Sequence, residues 1–332
     1  RGTMSRWLEH AGATFGVTVV QAMRLHAMQS AFCIATDATG IAVQPIRKPE
    51  DRTRQACKKG HYLVQIADRD HVFFEYLERE TSNAIGELFR GFSGYVQADA
   101  KSVFNALFEP PEDDDDDVRR ELGCFAHARR KFWEASAAKS VVAREGLRRI
   151  GRIFELEATW SKKPPDEIKR LRDRHLRPHV DAFFEWVDDE FPKVKEQRGL
   201  LSSALGYAHR QRVPLSRFLE DGRLVLENNR SERALRKVAI GRKNWLFAGS
   251  DDHAASTAHL FTMIVSARLH KLEPETYLRD LIYVLPFWPR ERYLELAPKF
   301  WRATRARLDP KQLDSEILTL QVPPAIDDIA IA

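Results

Sequence analysis

Hydrophobic positions along the chain follow a helical spacing first, then a strand-like pattern, and then a helical spacing again. Residues 3–30 repeat apolar side chains at helical spacing, whereas 30–46, 61–77 and 94–100 are short apolar runs with β-branched residues. We expect 30–46 to be two strands around a tight turn at Gly40, and 61–77 to be two strands around its ADRD sequence.

Helices are predicted for most of the remaining chain. The pattern from Cys124 to about Leu219 is almost wholly helical, and five prolines divide it into separate helices. Further helices are predicted at 80–92, where Thr81 or Ser82 would be the cap, at 257–272 and at 274–286. The predicted buried face of 257–272 is Leu260, Phe261, Ile264, Val265 and Leu269. Strands followed by helices favour an α/β layer with a helical insertion.

Composition narrows the class of protein. The 332 residues suggest one large domain or two to three smaller ones, and a hydrophobic fraction of 43% is ample for a buried core. Three cysteines give no disulfide framework, which indicates a reducing compartment. The sequence has no apolar run of about 20 residues, so we expect no membrane span.

The charge distribution points to a polyanionic partner. The net charge is +5, and it rises to +11 when the six acids of EDDDDD at 112–117 are set aside. A basic protein with one acidic patch fits nucleic acid, although a merely basic protein would have the same totals. The acidic run itself is predicted to be a solvated loop.

Three carboxylates could form an oxygen-rich metal site. Asp37 follows the apolar run FCIAT and Asp99 follows YVQA, so both are predicted at strand ends. Alternate strand residues share a face, which would separate Asp37 from Ala38. With Glu232 from a helix, these ligands suit Mg²⁺ or Mn²⁺. The alternative is that both aspartates are turn residues and that Glu232 only caps a helix and pairs with Arg236.

The segment LENNRSERALRKVAIGRKNW, residues 226–245, sets Glu232 among six cations. Asn228 or Asn229 is a good cap for a helix that starts near Arg230, and Glu232 then lies in the first turn. Arg233 on this helix would bind a phosphate. The predicted packing face of the helix is Leu235, Val238 and Ala239.

The sequence GCFAHARRKFW contains Cys124 and His127 at a metal-compatible spacing. Structural zinc requires four ligands, and a second pair is not evident, so we expect both side chains to pack beside the site. Arg129, Arg130 and Lys131 would form a phosphate-facing stripe. The alternative is a solvated basic start of a helix.

The sequence GRKNWLFAG at 241–249 combines cations with an aromatic ring. Arg242 and Lys243 would bind phosphates, and Trp245 would stack on a base. The alternative is a turn in which Trp245 caps the core. The chain contains no GxxxxGK[ST] loop and no GxSxG turn, which argues against simple nucleoside-triphosphatase and esterase functions.

These segments together resemble a known family. CIATDATG, GYVQADA, GCFAHARRKFWEA, LENNRSERALRKVAIGRKNWLFAGSD and PETYLRDLIYVLP occur in the order found in bacterial transposases of the insertion-sequence-66 family, over roughly residues 1–290. GTMSRWLEHA resembles the end of the helix-turn-helix region that precedes the catalytic domain of that family. The upstream zinc-binding segment is absent, so we expect an N-terminally truncated chain.

The resemblance implies a ribonuclease-H-like mixed sheet flanked by helices, with a large helical insertion before the glutamate helix. By position, the DDE catalytic triad falls on Asp37, Asp99 and Glu232, which would hold two Mg²⁺ or Mn²⁺ ions. The CxxH element of Cys124 and His127 is similar to one in several DDE families. Ala38 departs from the family, which usually has glutamate there, and ADAKSVF lacks the usual glycine and tyrosine.

The implied function is cleavage and strand transfer of DNA at insertion-sequence ends. Implied partners are double-stranded transposon ends and target DNA, a second copy in a synaptic complex, and helper proteins, in the bacterial cytoplasm at the nucleoid. The alternatives are a catalytically inactive DNA-binding remnant and a generic metal-dependent nuclease. The predicted divisions are 1–30 (N-terminal helical remnant), 31–123 (first part of the core), 124–222 (helical insertion), 223–286 (core completion) and 287–332 (C-terminal extension).

Overall fold

The computed structural model describes residues 2–45, 55–109, 118–313 and 320–326, without the side chains of Lys237, Arg242 and Lys243. The predicted acidic loop at 112–117 lies outside these residues. Contacts divide the chain into two units. The first comprises Arg1–Gly94, Glu109–Val118 and Arg230–Ala332, and the second comprises Tyr95–Phe108 and Arg119–Asn229.

Helices and strands are numbered along the chain. The strands are β1 (Cys33–Val43), β2 (Lys58–Ala67), β3 (His71–Leu77), β4 (Gly94–Gln97) and β5 (Arg119–Leu122). The helices up to the end of the second unit are α1 (Gly2–Phe15), α2 (Gln21–Ser30), α3 (Ser82–Glu87), α4 (Phe125–Ala137), α5 (Val141–Trp160), α6 (Pro165–Leu171), α7 (Arg177–Val194), α8 (Leu200–Arg210) and α9 (Arg212–Ser216). The later helices are α10 (Asn229–Trp245), α11 (Asp251–Leu269), α12 (Pro274–Val284), α13 (Trp301–Arg305) and α14 (Pro310–Leu313).

In the first unit, β1, β2 and β3 form an antiparallel meander in the order β3-β2-β1. The hairpin predicted around ADRD is confirmed, because β2 ends at Ala67 and β3 begins at His71. The tight turn predicted at Gly40 is wrong: β1 continues through Gly40, which pairs with His61 of β2. Ile41 and Val43 extend the buried alternation beyond the glycine, so the ladder continues there.

One face of this meander is covered by α10. Ala35 and Ile41 of β1 share a core with Ala234, Leu235 and Val238 of α10. These three helical positions lie on one stripe, as the spacing of the sequence predicts. Leu235 and Val238 belonged to the predicted packing face, which is thereby confirmed for both.

α11 buries mainly small residues, and its predicted buried face is only partly right, because Phe261 and Val265 pack against the core of the first unit. Its buried positions include Ala258, Thr262 and Ser266, whereas the predicted Leu260, Phe261, Ile264 and Val265 are half-buried and Leu269 is exposed. β3 is an edge strand in the first unit, and an edge presents backbone groups that need partners. Phe74 N donates to Thr262 Oγ1 at 2.8 Å, and Val72 N donates to Ser266 Oγ at 3.1 Å. Two hydroxyls of α11 therefore supply the partners that the edge of β3 needs.

The N-terminal helices also pack against α11. The helical prediction for 3–30 is confirmed by α1, a π-helical turn at Gly16–Val20, and α2. A Cβ added at Gly12 would lie 2.2 Å from the Ser256 carbonyl oxygen, so only glycine permits this approach. Ser5 Oγ and His253 Nε2 lie 2.7 Å apart across the same contact.

Two predicted helix starts are confirmed in this unit. Thr81 caps α3, because its side chain accepts a hydrogen bond from Ala84 N. Pro274 occupies the first turn of α12.

The second unit holds β4, β5 and the helices α4 to α9. The helical prediction from Cys124 to about Leu219 is confirmed. The helical spacing also predicts an apolar stripe of Val180, Phe183, Phe184, Val187 and Phe191; on α7 the first four are buried and Phe191 is half-buried. The chain is therefore a mixed α/β protein, while the ribonuclease-H-like arrangement and the five-part division of the chain stay predictions. No helix in the described ranges is both long and apolar enough to span a membrane.

Replacing the Thr262 hydroxyl, which accepts a hydrogen bond from the edge strand β3, with a methyl group gives a direct test of α11 packing. We expect Thr262→Val to lower the free energy of unfolding by about 1–3 kcal/mol, because Phe74 N loses its acceptor while it stays buried. Thr14→Val in α1 is the matched control, since that threonine is exposed, and should change stability by less than about 0.5 kcal/mol. Urea denaturation measures both; equal small changes would contradict the assignment.

A pair of neighbouring histidines, one buried and one half-buried, lies in the first unit. His71 Nε2 lies 3.1 Å from His26 Nδ1, and His71 is fully buried. Burial lowers the pKa of His71 well below its usual value, and the nearby His26, Lys299 and His270 lower it further. Burial also lowers the pKa of His26, as does Lys299, against the opposing effect of Asp70. Both shifts favour the neutral form of each ring in the folded state.

We expect the free energy of unfolding to fall as the pH drops below about 6.5, by up to about 1.4 kcal/mol per pH unit for each ring. Below about pH 6.5 the two histidines bind protons more readily in the unfolded chain than in the folded chain. Their contribution to the free energy of unfolding is therefore fully present above about pH 6.5 and is lost below it. Urea titrations between pH 7.5 and 5.5 measure the slope. His71→Phe should flatten it, whereas His179→Gln, at an exposed position, should not. An unchanged slope in His71→Phe would disprove this origin.

Candidate active site

Asp37 lies in the middle of β1, so its predicted place at a strand end is wrong. Six strand residues follow it, and it pairs with Val64 of β2. Its half-buried side chain accepts a hydrogen bond from Ala38 N at 2.8 Å through Oδ1. Because alternate residues share a face, Asp37 lies on the side of Ala35 and Ile41, which is the side that α10 covers.

Glu232 is the fourth residue of α10 and lies in its first turn, half-buried. The helix begins at Asn229, one residue before the predicted start, and directly after the buried Asn228. The stripe that begins at Ala234 packs α10 on the face of the sheet that carries Asp37. Two of the three predicted carboxylates therefore belong to one face of one unit.

Asp99 belongs to the second unit, two residues after β4, where a strand end was predicted. His127 Nε2 lies 3.9 Å from Asp99 Oδ2. Tyr207 is also near: its hydroxyl is buried and has no hydrogen-bond partner among the residues that the structure describes. Burial raises the pKa of Tyr207, and the charge of Asp99 raises it further. Nothing in the sequence around Tyr207 signals this neighbourhood.

Cys124 has a structural role in the second unit. It is buried, and its Sγ accepts a hydrogen bond from Asn228 N at 3.2 Å. Among the described ranges, no group of three or more histidine, cysteine, aspartate or glutamate side chains is arranged to hold a metal ion. The contact places Cys124 beside the segment that leads into α10, while its place beside a metal site stays a prediction.

Three successive carbonyls, at 224–226, are held by buried donors of the second unit. Arg172 Nη2 donates to the first, Gln97 Nε2 to the second and Phe125 N to the third, each at 2.9 Å. With Asn228 N bonded to sulfur, this non-helical segment has fixed backbone partners along most of its length. The start of the glutamate helix is thus specified by residues far away in sequence.

Arg172 is the centre of this arrangement. Its side chain is 2% exposed, and it pairs with Glu157 through two hydrogen bonds of 3.0 and 2.5 Å. It also donates to the carbonyls of Phe218 and Asp221, at 2.7 and 2.9 Å. Sequence reasoning missed Arg172, because it is one of many arginines in a helical block.

The predicted basic stripe on α4 has partners within the second unit. Consecutive helical residues point about 100° apart, so they do not share one face. Arg129 lies over the Phe154 ring at 5.5 Å, Arg130 Nε is 3.1 Å from Glu134 Oε1, and Lys131 Nζ lies over the Tyr207 ring at 5.3 Å. Contact of these residues with DNA stays a prediction.

The end of α10 combines packing with an exposed turn. Trp245 is half-buried and packs against the core of the first unit, which favours the core-capping alternative. Leu246 adopts a left-handed φ of 59° and is exposed. Arg233 is exposed on α10, and the side chains of Arg242 and Lys243 lie outside the described residues.

Comparison with known proteins settles the family. The family model described as "Transposase IS66 family" matches residues 1–256, which include Asp37, Asp99 and Glu232. The chain belongs to this family. The IS66 resemblance read from the sequence is therefore confirmed.

Curated relatives of this IS66 chain come from Sinorhizobium fredii. Uncharacterized protein y4hP is 32% identical over 196 residues, which cover 55% of this chain and 35% of the relative. Uncharacterized protein y4qI is 28% identical over 230 residues, which cover 68% of this chain and 42% of the relative. The chain thus spans about two-fifths of the length of the curated relatives that it matches.

Removing the buried guanidinium should loosen the second unit. We expect Arg172→Met to lower the free energy of unfolding by about 3–5 kcal/mol, because Glu157 and three carbonyls would lose their buried donor. The matched control is Arg174→Met, which is exposed and lies two residues further along the chain. We expect it to change the free energy of unfolding by less than about 0.5 kcal/mol. Hydrogen exchange of peptides from 119–229 reports this unit; equal protection in both variants would refute the role.

Proposed function

We propose that this chain is the catalytic part of a DNA transposase that cleaves DNA at insertion-sequence ends and joins the ends to target DNA. The observation that carries the proposal is the IS66 family match, which includes all three proposed catalytic carboxylates. The placement of Asp37 and Glu232 with one face of the sheet supports it. The proposal includes a ribonuclease-H-like core that the helical segment between Asp99 and Glu232 interrupts.

The donor set suits divalent cations. Asp37, Asp99 and Glu232 offer hard carboxylate oxygens, and all three side chains are half-buried rather than enclosed. We propose that they would hold two Mg²⁺ or Mn²⁺ ions, which activate the attacking oxygen and stabilise the leaving oxygen when bound. No such group is assembled among the described residues, so the convergence of the three belongs to the proposal.

Other residues of the chain would prepare the site. His127, whose Nε2 lies 3.9 Å from Asp99 Oδ2, would orient that carboxylate. Arg233, Arg242 and Lys243 would hold DNA phosphates, which makes binding steeply dependent on salt. Double-stranded DNA is the proposed partner, together with a second copy of the chain and helper proteins.

The experiment is a cleavage and joining assay on duplex DNA that carries the ends of the element. We expect Mg²⁺- or Mn²⁺-dependent nicking, and a loss of rate of more than about 100-fold, or about 2.7 kcal/mol, in Asp37→Asn, Asp99→Asn and Glu232→Gln. Each variant removes a charge that the proposed metal site requires. Asp166→Asn is the control, because this acid is exposed on α6.

Other outcomes separate the alternatives. Binding of end DNA without metal-dependent nicking, unchanged by Asp99→Ala, would identify an inactive DNA-binding remnant. Metal-dependent cleavage without any joined product would identify a generic nuclease. Full activity in all three carboxylate variants would refute the proposed triad.

A further inference from the structure

A pocket of about 460 Å³ lies within the first unit, beside the helix α10 that contains Glu232. It lies between the turn after β2, the first turns of α10 and the end of α11. Its volume is within the range of about 300–1,000 Å³ that small-molecule sites occupy. Its polar side chains are Asp68 and four arginines, namely Arg69, Arg230, Arg233 and Arg268.

Three of the four arginines in this pocket lack a carboxylate partner among the residues that the structure describes. In the described parts of the chain, no carboxylate lies within 4.0 Å of the guanidinium of Arg69, Arg230 or Arg268. Asp68 is already engaged, because its two oxygens accept hydrogen bonds from Phe32 N at 2.8 Å and Cys33 N at 3.0 Å. The arginines therefore form a cationic rim that fits an anionic group.

The charge of Arg230 is disfavoured both by burial and by the neighbouring arginines. Burial lowers its pKa, and the charges of Arg69 and Arg233 lower it further, while Asp68 acts in the opposite direction. A half-buried guanidinium beside two others is unfavourable without an anion. Phosphate oxygens bind such groups in bidentate fashion and would remove the repulsion.

The remaining walls of the pocket are aliphatic. Ile66 and Val72 come from the sheet, Ala234 from α10, and Val265 from α11. A bare inorganic anion would leave this surface unused. A ligand that combines a phosphate with a flat, weakly polar ring would satisfy both the rim and the walls.

We propose that the pocket binds one nucleotide, with its phosphate at the arginine rim and its base against the aliphatic walls. The shared chemistry is a phosphate carrying a nucleobase, either within a DNA strand or as a free nucleotide. The DNA source rests on the proposed function, because it requires a strand beside α10. Packing of the base on the aliphatic walls and pairing of the phosphate with the arginines then act on the same nucleotide of the strand.

The test measures binding without divalent metal, in EDTA, by calorimetry and fluorescence anisotropy. The ligands are inorganic phosphate, deoxythymidine, deoxythymidine monophosphate, and a short single strand with or without one abasic position. We expect saturable binding of the monophosphate at least about 10-fold tighter than of phosphate or of the nucleoside, since only the monophosphate uses both surfaces. If the intact strand displaces the bound monophosphate and the abasic strand displaces it less well, DNA is the source. If neither strand displaces it, the source is a free nucleotide.

Matched arginine variants localise the binding. Arg69→Gln with Arg268→Gln should weaken monophosphate binding at least about 10-fold, whereas Arg290→Gln with Arg307→Gln should change it less than about 2-fold. All four arginines are exposed, so the pairs differ only in place, and each single variant serves if a double variant fails to fold.

Three results would overturn the proposal: no saturable binding, equal affinity for phosphate and monophosphate, or equal losses in the two double variants. Because no metal is present, a failure of catalysis leaves this result unaffected. Conversely, an empty pocket leaves the cleavage assay intact, so the two proposals fail separately.

Discussion

α10 has to bury an apolar stripe while it carries a high density of charge, and the functional part of the first unit depends on this constraint. Ala234, Leu235 and Val238 pack on the sheet, while Arg230 and Glu232 beside them are half-buried and Arg233 is exposed. Glu232 lies in the first turn, and Arg230 and Arg233 line the pocket. One packing contact therefore positions both a candidate catalytic acid and a candidate phosphate site.

The second unit solves a different problem, which is the burial of backbone without regular structure. The carbonyls at 224–226 lie next to a hydrophobic interior and need partners there. Arg172 serves because its planar guanidinium offers five donors, and it reaches Leu224 together with Glu157 and two further carbonyls. Gln97 and Cys124 complete the arrangement. A residue that looks like a surface arginine in the sequence is thus an internal support.

Under the proposed function, the two units contribute different carboxylates. Asp37 and Glu232 come from the first unit and Asp99 from the second, where it has His127 nearby. The arginine pocket lies in the first unit. Two of its arginines flank Glu232 on α10: Arg230 lies two residues before it and Arg233 one residue after it.

Several features could be predicted from particular residues. The helical spacing of 3–30, the ADRD hairpin, the Thr81 cap and the α7 stripe all follow from local patterns, and the quoted motifs identified the IS66 family. Local patterns succeed here because each depends on neighbours within a few positions. The same reasoning failed at Gly40, since a glycine that marks a turn in isolation can be held in a ladder by a partner strand.

Only the tertiary structure decided the contacts between distant residues. Thr262 and Ser266 are buried in place of Leu260 and Leu269 because the edge of β3 requires hydroxyl partners, and no periodicity encodes that need. The arginine pocket joins residues 69, 230, 233 and 268, whose charges are unremarkable along the sequence. By itself the sequence determined the family, the helical and strand segments and the candidate carboxylates. Burial and the pairing of polar groups depend on which surfaces meet, so the structure alone decided which of the many charged side chains support the fold and which line the pocket.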